Sequence, residues 1–172
     1  MPNYRRSYVP GGTYFFTIVT HQRRKIFDTP RKLELLYGTL RRVQINKPFE
    51  LIAYCLLPDH LHLLIKLPDD DSNFSLRIRE IKRLITIWIR REPSENVDRI
   101  WQDKFWEHTI RDEKDLMRHF DYIHYNPVKH NLTDSFDGWK WSSFIFYFDG
   151  KTEDSERINP DRFNKYPDNF GE

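Results

Sequence analysis

The chain has 172 residues, 38% hydrophobic and 31% charged, with a net charge of only +2; this suits one globular domain of ordinary size and excludes a disordered chain. Its one cysteine, Cys55, excludes an intramolecular disulfide and a cysteine zinc cage. No window approaches the roughly 18 apolar residues of a membrane span, so the chain reads as a cytoplasmic protein.

The charges are unevenly spread. Residues 1 to 47 hold ten Lys or Arg against Asp28 and Glu34, and residues 77 to 91 hold six against Glu80 alone, whereas nine acids face five bases from Asp134 onward. A basic front points to a polyanionic partner, because phosphate contacts supply most non-specific nucleic-acid affinity. The plain alternative is that long basic side chains solvate helix faces.

In chain order, Tyr4, Arg5, Arg6 and Tyr8 form a basic, aromatic arm ahead of the turn Pro10-Gly11-Gly12. Arginines beside tyrosines can grip a backbone while stacking bases, although a frayed terminus has the same composition. Thr13 to Thr20 reads as a first strand. Thr29-Pro30 starts a helix whose Leu33, Leu36, Leu40 and Val43 recur at helical spacing until Pro48, with Arg31, Lys32, Arg41 and Arg42 on its surface. Glu50 to Leu57 is a nearly continuous apolar strand, and Pro58-Asp59 turns it into a hairpin with a strand that opens on His60-Leu61-His62.

The run Asp69-Asp70-Asp71 lacks the alternating spacing of a calcium loop and suits a solvated turn. Ser75 to Arg91 is a second helix, with Ile78, Ile81, Leu84, Ile85 and Trp88 inward and Arg77, Arg79, Lys82, Arg83, Arg90 and Arg91 as basic flanks. Pro93 to Asp98 is a loop. Phe105 to Arg111 is a fourth strand, and Asp112-Glu113 opens a third helix with acids at its positive end. Leu116, Phe120 and Ile123 form that helix's buried stripe. Tyr122 lies beside the stripe, Asn126 shares its face four residues on, and Pro127 is expected to end the helix. Trp139 and Trp141 either pin the following segment onto the domain, the preferred reading, or stack on unpaired bases. The division expected is one domain over residues 1–149 and an irregular, acidic tail over 150–172.

The order β-α-β-β-α-β implies an α+β, ferredoxin-like antiparallel sheet with an additional helix. Alternation along the third strand sends His60 and His62 to one face and Leu61, Leu63 and Ile65 to the other. Two imidazoles side by side can hold a divalent cation, but an H-x-H on a strand is more often simply polar.

Pro58-Asp59-His60-Leu61-His62 and Tyr122-Ile123-His124-Tyr125-Asn126-Pro127-Val128 together resemble the HUH single-strand transposases with one catalytic tyrosine, especially their REP-associated branch. Gly11-Gly12-Thr13-Tyr14-Phe15-Phe16-Thr17, Trp101-Gln102-Asp103-Lys104-Phe105-Trp106-Glu107-His108 and Trp139-Lys140-Trp141-Ser142-Ser143 fit as well, so the likeness covers roughly residues 4 to 147. It implies a metal-dependent single-strand DNA endonuclease and strand transferase. Tyr122 would be its nucleophile, His60, His62 and Asn126 would hold Mg²⁺ or Mn²⁺, and a 5′-phosphotyrosine and a free 3′-hydroxyl would be formed. The implied substrates are imperfect palindromes that fold as hairpins beside a short single-stranded guide. Arg5, Arg6, Arg79 and Arg83 are candidate DNA contacts. Tyr125 is the competing nucleophile, and His119 either assists proton transfer or is a surface histidine, the preferred reading. The implied state is a monomer, with dimerisation open to an exposed sheet edge. A catalytically silent binder of single-stranded nucleic acid and a replication or conjugation nickase of the wider HUH group are the alternatives.

Overall fold

The computed structural model describes residues 6–92 and 98–147. Arg5, the loop at 93–97 and the tail at 150–172 lie outside the described residues. Four strands, β1 (Thr13–Val19), β2 (Glu50–Leu56), β3 (His60–Lys66) and β4 (Trp106–Thr109), form one antiparallel sheet in the order β2-β3-β1-β4. They alternate with α1 (Pro30–Asn46), α2 (Phe74–Ile89), α3 (Glu113–Lys129) and a single turn, α4 (Phe144–Tyr147). The fold is the α+β order expected from the sequence, with the extra helix α3 following β4.

The sheet is covered on both faces, which is why β1 and β3 carry almost no exposed position. Tyr14, Phe16, Ile18, Leu61, Leu63 and Ile65 meet Leu33, Leu36, Leu40 and Val43 of α1 and Ile78, Ile81 and Ile85 of α2 in the larger core. Phe15, Ala53, Cys55 and Leu64 on the other face meet Tyr122 and Ile123 of α3 in a smaller core. His60 and His62 alternate with the first set, and so they lie on the face that α3 covers.

Helix starts follow the capping chemistry in the sequence. Thr29 accepts from Lys32 N–H ahead of Pro30, Asn73 accepts from Leu76 N–H, and Asp112 accepts from Asp115 N–H. Asp115 in turn accepts from the backbone N–H of Arg111, the residue before the cap, and so ties the incoming chain to the first turn of α3. The aspartate run is a turn into α2: Asp71 accepts from Asn73 N–H at 2.6 Å.

Three expectations change. Trp88 is 40% exposed and Ile89 takes the inward place, because Ile78, Ile81, Ile85 and Ile89 complete the stripe and Trp88 stands about 100° off it. Arg77 is a buried strut, not a basic flank: it donates to the carbonyls of Pro48 and Asn73 and pairs with Asp71 at 2.8 Å. Pro127 does not end α3, which runs through it to Lys129. The last turn is instead closed by backbone bonds from His130 to Asn126, Asn131 to Val128 and Leu132 to Pro127, with Asn131 in the left-handed region at φ 54°. The tryptophans pack onto the domain, as the preferred reading had it, at the β2 edge of the sheet, while β4 is the other edge. The Trp139 indole N–H donates to Leu56 O, Leu56 N–H donates to Trp141 O, and Ser143 bonds the backbone of Tyr54, so residues 139–143 cover the outer edge of β2.

Candidate active site on the face covered by α3

β3 delivers the histidines as a pair, with ring centroids 4.9 Å apart and both rings fully buried. Each is held by its other nitrogen. His60 Nδ1 donates to Asp59 Oδ1 at 2.6 Å, and His62 Nδ1 lies 3.0 Å from Thr17 Oγ1, its register partner on β1. With Nδ1 engaged, Nε2 is the atom each ring would present to an ion, the arrangement by which outer partners orient metal-ligating histidines. Burial alone would raise the Asp59 carboxyl, but the His60 and Arg23 hydrogen bonds and charges hold it below the usual carboxylate range.

α3 brings the tyrosine to this pair. The Tyr122 ring stands edge-on to His62 at 5.3 Å and to Phe15 at 6.0 Å, and Tyr122 is 5% exposed. Tyr125 turns elsewhere, against Phe136 at 6.3 Å. Asn126 is fully buried, and both polar atoms of its amide lack a hydrogen-bond partner among the described residues. Leaving such an amide unsatisfied costs about 1–3 kcal/mol per group, so its oxygen, four residues beyond Tyr122, fits a third ligand. Two imidazoles and one amide oxygen are a donor set that a divalent cation accepts.

Sequence reasoning missed two residues here. Lys129, two turns beyond Tyr122 on the same face, donates to its hydroxyl oxygen at 3.4 Å and lies 5.2 Å from the ring centroid. The i+7 spacing was visible, but the expected stop at Pro127 hid it. His130, just past α3, places its ring 4.9 Å from that of His60, and no local signal announces a contact made by a helix end.

His119 and His124 are not surface groups. His119 is 2% exposed, contrary to the surface reading, because the covered sheet face meets that side of α3. Burial pushes it down to about 4. His124 is a core residue: burial pushes it down to about 3, and its Nε2 is 2.8 Å from Ser143 Oγ. Among the candidate DNA contacts, Arg6 lies on the opposite face of the sheet, paired with Glu107 at 3.4 Å and stacked over Phe105 at 4.2 Å. Arg83 forms a two-toothed pair with Glu80, and Arg79 is exposed on α2. None of the three adjoins Tyr122.

Residues 8–126 match the family described as Transposase IS200 like. The chain is 42% identical, over 98% of its length and 96% of the other's, to a Haemophilus influenzae protein whose name places it among the REP-associated tyrosine transposases. It is 40% identical to the REP-associated tyrosine transposase of Escherichia coli K12, over 84% of this chain and 83% of that one. The solved structure of a REP-associated tyrosine transposase bound to a REP hairpin is similar with a TM-score of 0.74 and 39% identity, covering 84% of this chain and 83% of that one. The protein therefore belongs to the IS200-like transposases, in their REP-associated tyrosine transposase branch.

Proposed function

We propose that this chain is a metal-dependent endonuclease and strand transferase for single-stranded DNA beside a hairpin of the repetitive extragenic palindrome type, working through a 5′-phosphotyrosine. The observation that carries the reading is the Tyr122 ring against His62, with the unsatisfied Asn126 amide one helical turn on. The relative bound to a REP hairpin supports the choice of substrate. No helix among the described residues is long and apolar enough to cross a membrane.

A phenol has an ordinary pKa of about 10 and attacks a phosphodiester poorly unless charge is stabilised on both partners. A divalent cation held by His60, His62 and Asn126 would supply the Lewis acidity that polarises a nonbridging oxygen of the scissile phosphate. The chain's own residues do the rest. α3 and Phe15 fix the Tyr122 ring, and the Lys129 ammonium favours negative charge on the hydroxyl oxygen as its proton leaves. Attack forms the bond from Tyr122 oxygen to phosphorus and breaks the bond to the departing 3′ oxygen, which leaves as a hydroxyl. One phosphoester replaces another, so a 3′-hydroxyl can reverse the step without a nucleotide cofactor.

The test is incubation with a labelled hairpin bearing an unpaired flank, with Mg²⁺ or Mn²⁺, followed by a denaturing gel. A metal-dependent covalent protein-DNA band is expected, while tight binding with no band would identify a silent binder.

A further inference from the structure

A second group of donors gathers at the start of the helix that carries the tyrosine. His108 on β4 and Asp115 and His119 on consecutive turns of α3 place three ligand-type atoms within 4.8 Å of one another. We propose that these three residues form a second cation site, for a transition metal of the zinc type, that ties the start of α3 to β4 and is separate from the His60 and His62 pair.

The donor set is two imidazoles and one carboxylate, which suits zinc and its neighbours better than magnesium. Asp115 reaches both rings: Oδ2 is 2.7 Å from His108 Nε2, and Oδ1 is 3.2 Å from His119 Nδ1. The rings are set in place by their neighbours. His108 is stacked between Trp106, at 5.8 Å and 6°, and His119, at 4.6 Å and 18°, while His119 also meets Phe15 at 4.8 Å.

Of the atoms in contact, only the Asp115 carboxylate is already in ligand form, because His119 Nδ1 donates to the Asp115 carbonyl oxygen at 2.8 Å. Burial keeps His119 neutral. Burial would raise Asp115, but hydrogen bonds from His108 and the Arg111 N–H hold it low and ionised. The proton His108 Nε2 donates to Asp115 occupies the place an ion would take, so binding there calls for the His108 tautomer that carries its proton on Nδ1.

The plain alternative is a hydrogen-bonded latch in which Asp115 merely holds the Arg111 N–H at the start of α3. That latch needs the carboxylate and the Arg111 N–H alone. It does not require two imidazoles, one of them buried, on that carboxylate. Phe15 touches His119 and His62, so a single ring joins the two groups, and an ion here would steady the helix that carries Tyr122 three residues on.

The experiment measures zinc bound per chain, by equilibrium dialysis and elemental analysis of untagged protein, together with the rise in Tm on adding zinc. A variant carrying His60→Ala and His62→Ala should retain one zinc ion per chain and a zinc-dependent rise in Tm. Adding His108→Gln, or separately Asp115→Asn, which keeps an acceptor for the Arg111 N–H, should remove both. Failure of the double variant to bind zinc would overturn the proposal, as would unchanged binding after His108→Gln and Asp115→Asn. A fault in the catalytic assignment would show differently, as zinc binding that does not fall when His60 and His62 are removed.

Discussion

The ammonium of Lys129 stands 3.4 Å from the hydroxyl oxygen of Tyr122, seven residues away on a helix that passes straight through a proline. Replacing it by a neutral side chain of similar length should therefore act on the chemistry more than on binding. Lys129→Met is expected to slow adduct formation by roughly 10- to 100-fold, with hairpin affinity reduced far less. A single-turnover rate beside a binding isotherm separates the two, and an equal loss in both would make Lys129 a DNA contact instead.

Tyr122→Phe removes one oxygen from a ring whose packing against Phe15 and His62 stays intact. Cleavage should fall at least about 1000-fold with folding and hairpin affinity retained. Tyr125→Phe, altered in a ring that faces Phe136, should still cleave. The reverse outcome in a gel of covalent adducts would transfer the role to Tyr125.

Asp59 and Thr17 hold the outer nitrogens of the two histidines. Asp59→Asn and Thr17→Val should each weaken Mn²⁺ activation about 10- to 100-fold and leave the maximal rate at saturating Mn²⁺ comparatively unaffected. Titrating activity against Mn²⁺ reads this directly, and unchanged curves would show that the histidines need no such support.

Two arginines two residues apart on α2 should behave oppositely. Arg77→Met removes three hydrogen bonds to the carbonyls of Pro48 and Asn73 from a buried position and should cost about 2 kcal/mol of stability, read from a urea midpoint. Arg79→Glu, on the exposed side, should leave the midpoint alone, lower hairpin affinity and flatten its salt dependence. Salt slopes indistinguishable from the parent's would place the DNA elsewhere.

Within one chain the Tyr122 ring already adjoins His62, and the strand-to-helix connection before α3 is only three residues, 110–112. The site is expected to act in cis. Mixing Tyr122→Phe with the His60→Ala, His62→Ala double variant should restore no cleavage when each is folded and binds DNA. Recovered activity in the mixture would mean that tyrosine helices are exchanged between subunits.

The sequence by itself determined the features that depend on local periodicity and capping. Alternation along a strand put His60 and His62 on one face, the 3.6-residue period put Asn126 with Tyr122, and Thr29-Pro30 and Asp112 announced two helix starts. The order of elements was enough for the fold class. What needed tertiary structure was every pairing across elements. Thr17 supports His62 only because β1 and β3 adopt one register, and Arg77 becomes a strut only because the carbonyl of Pro48 overhangs it. His119 is buried because α3 lies over the sheet face opposite α1 and α2. Lys129 reaches Tyr122 because packing and the closing bonds after Pro127 carry the helix past the point where proline's missing N–H would otherwise stop it. Local rules fix where a side chain points along its own element, but which neighbours it meets is decided by how the two faces of the sheet are covered.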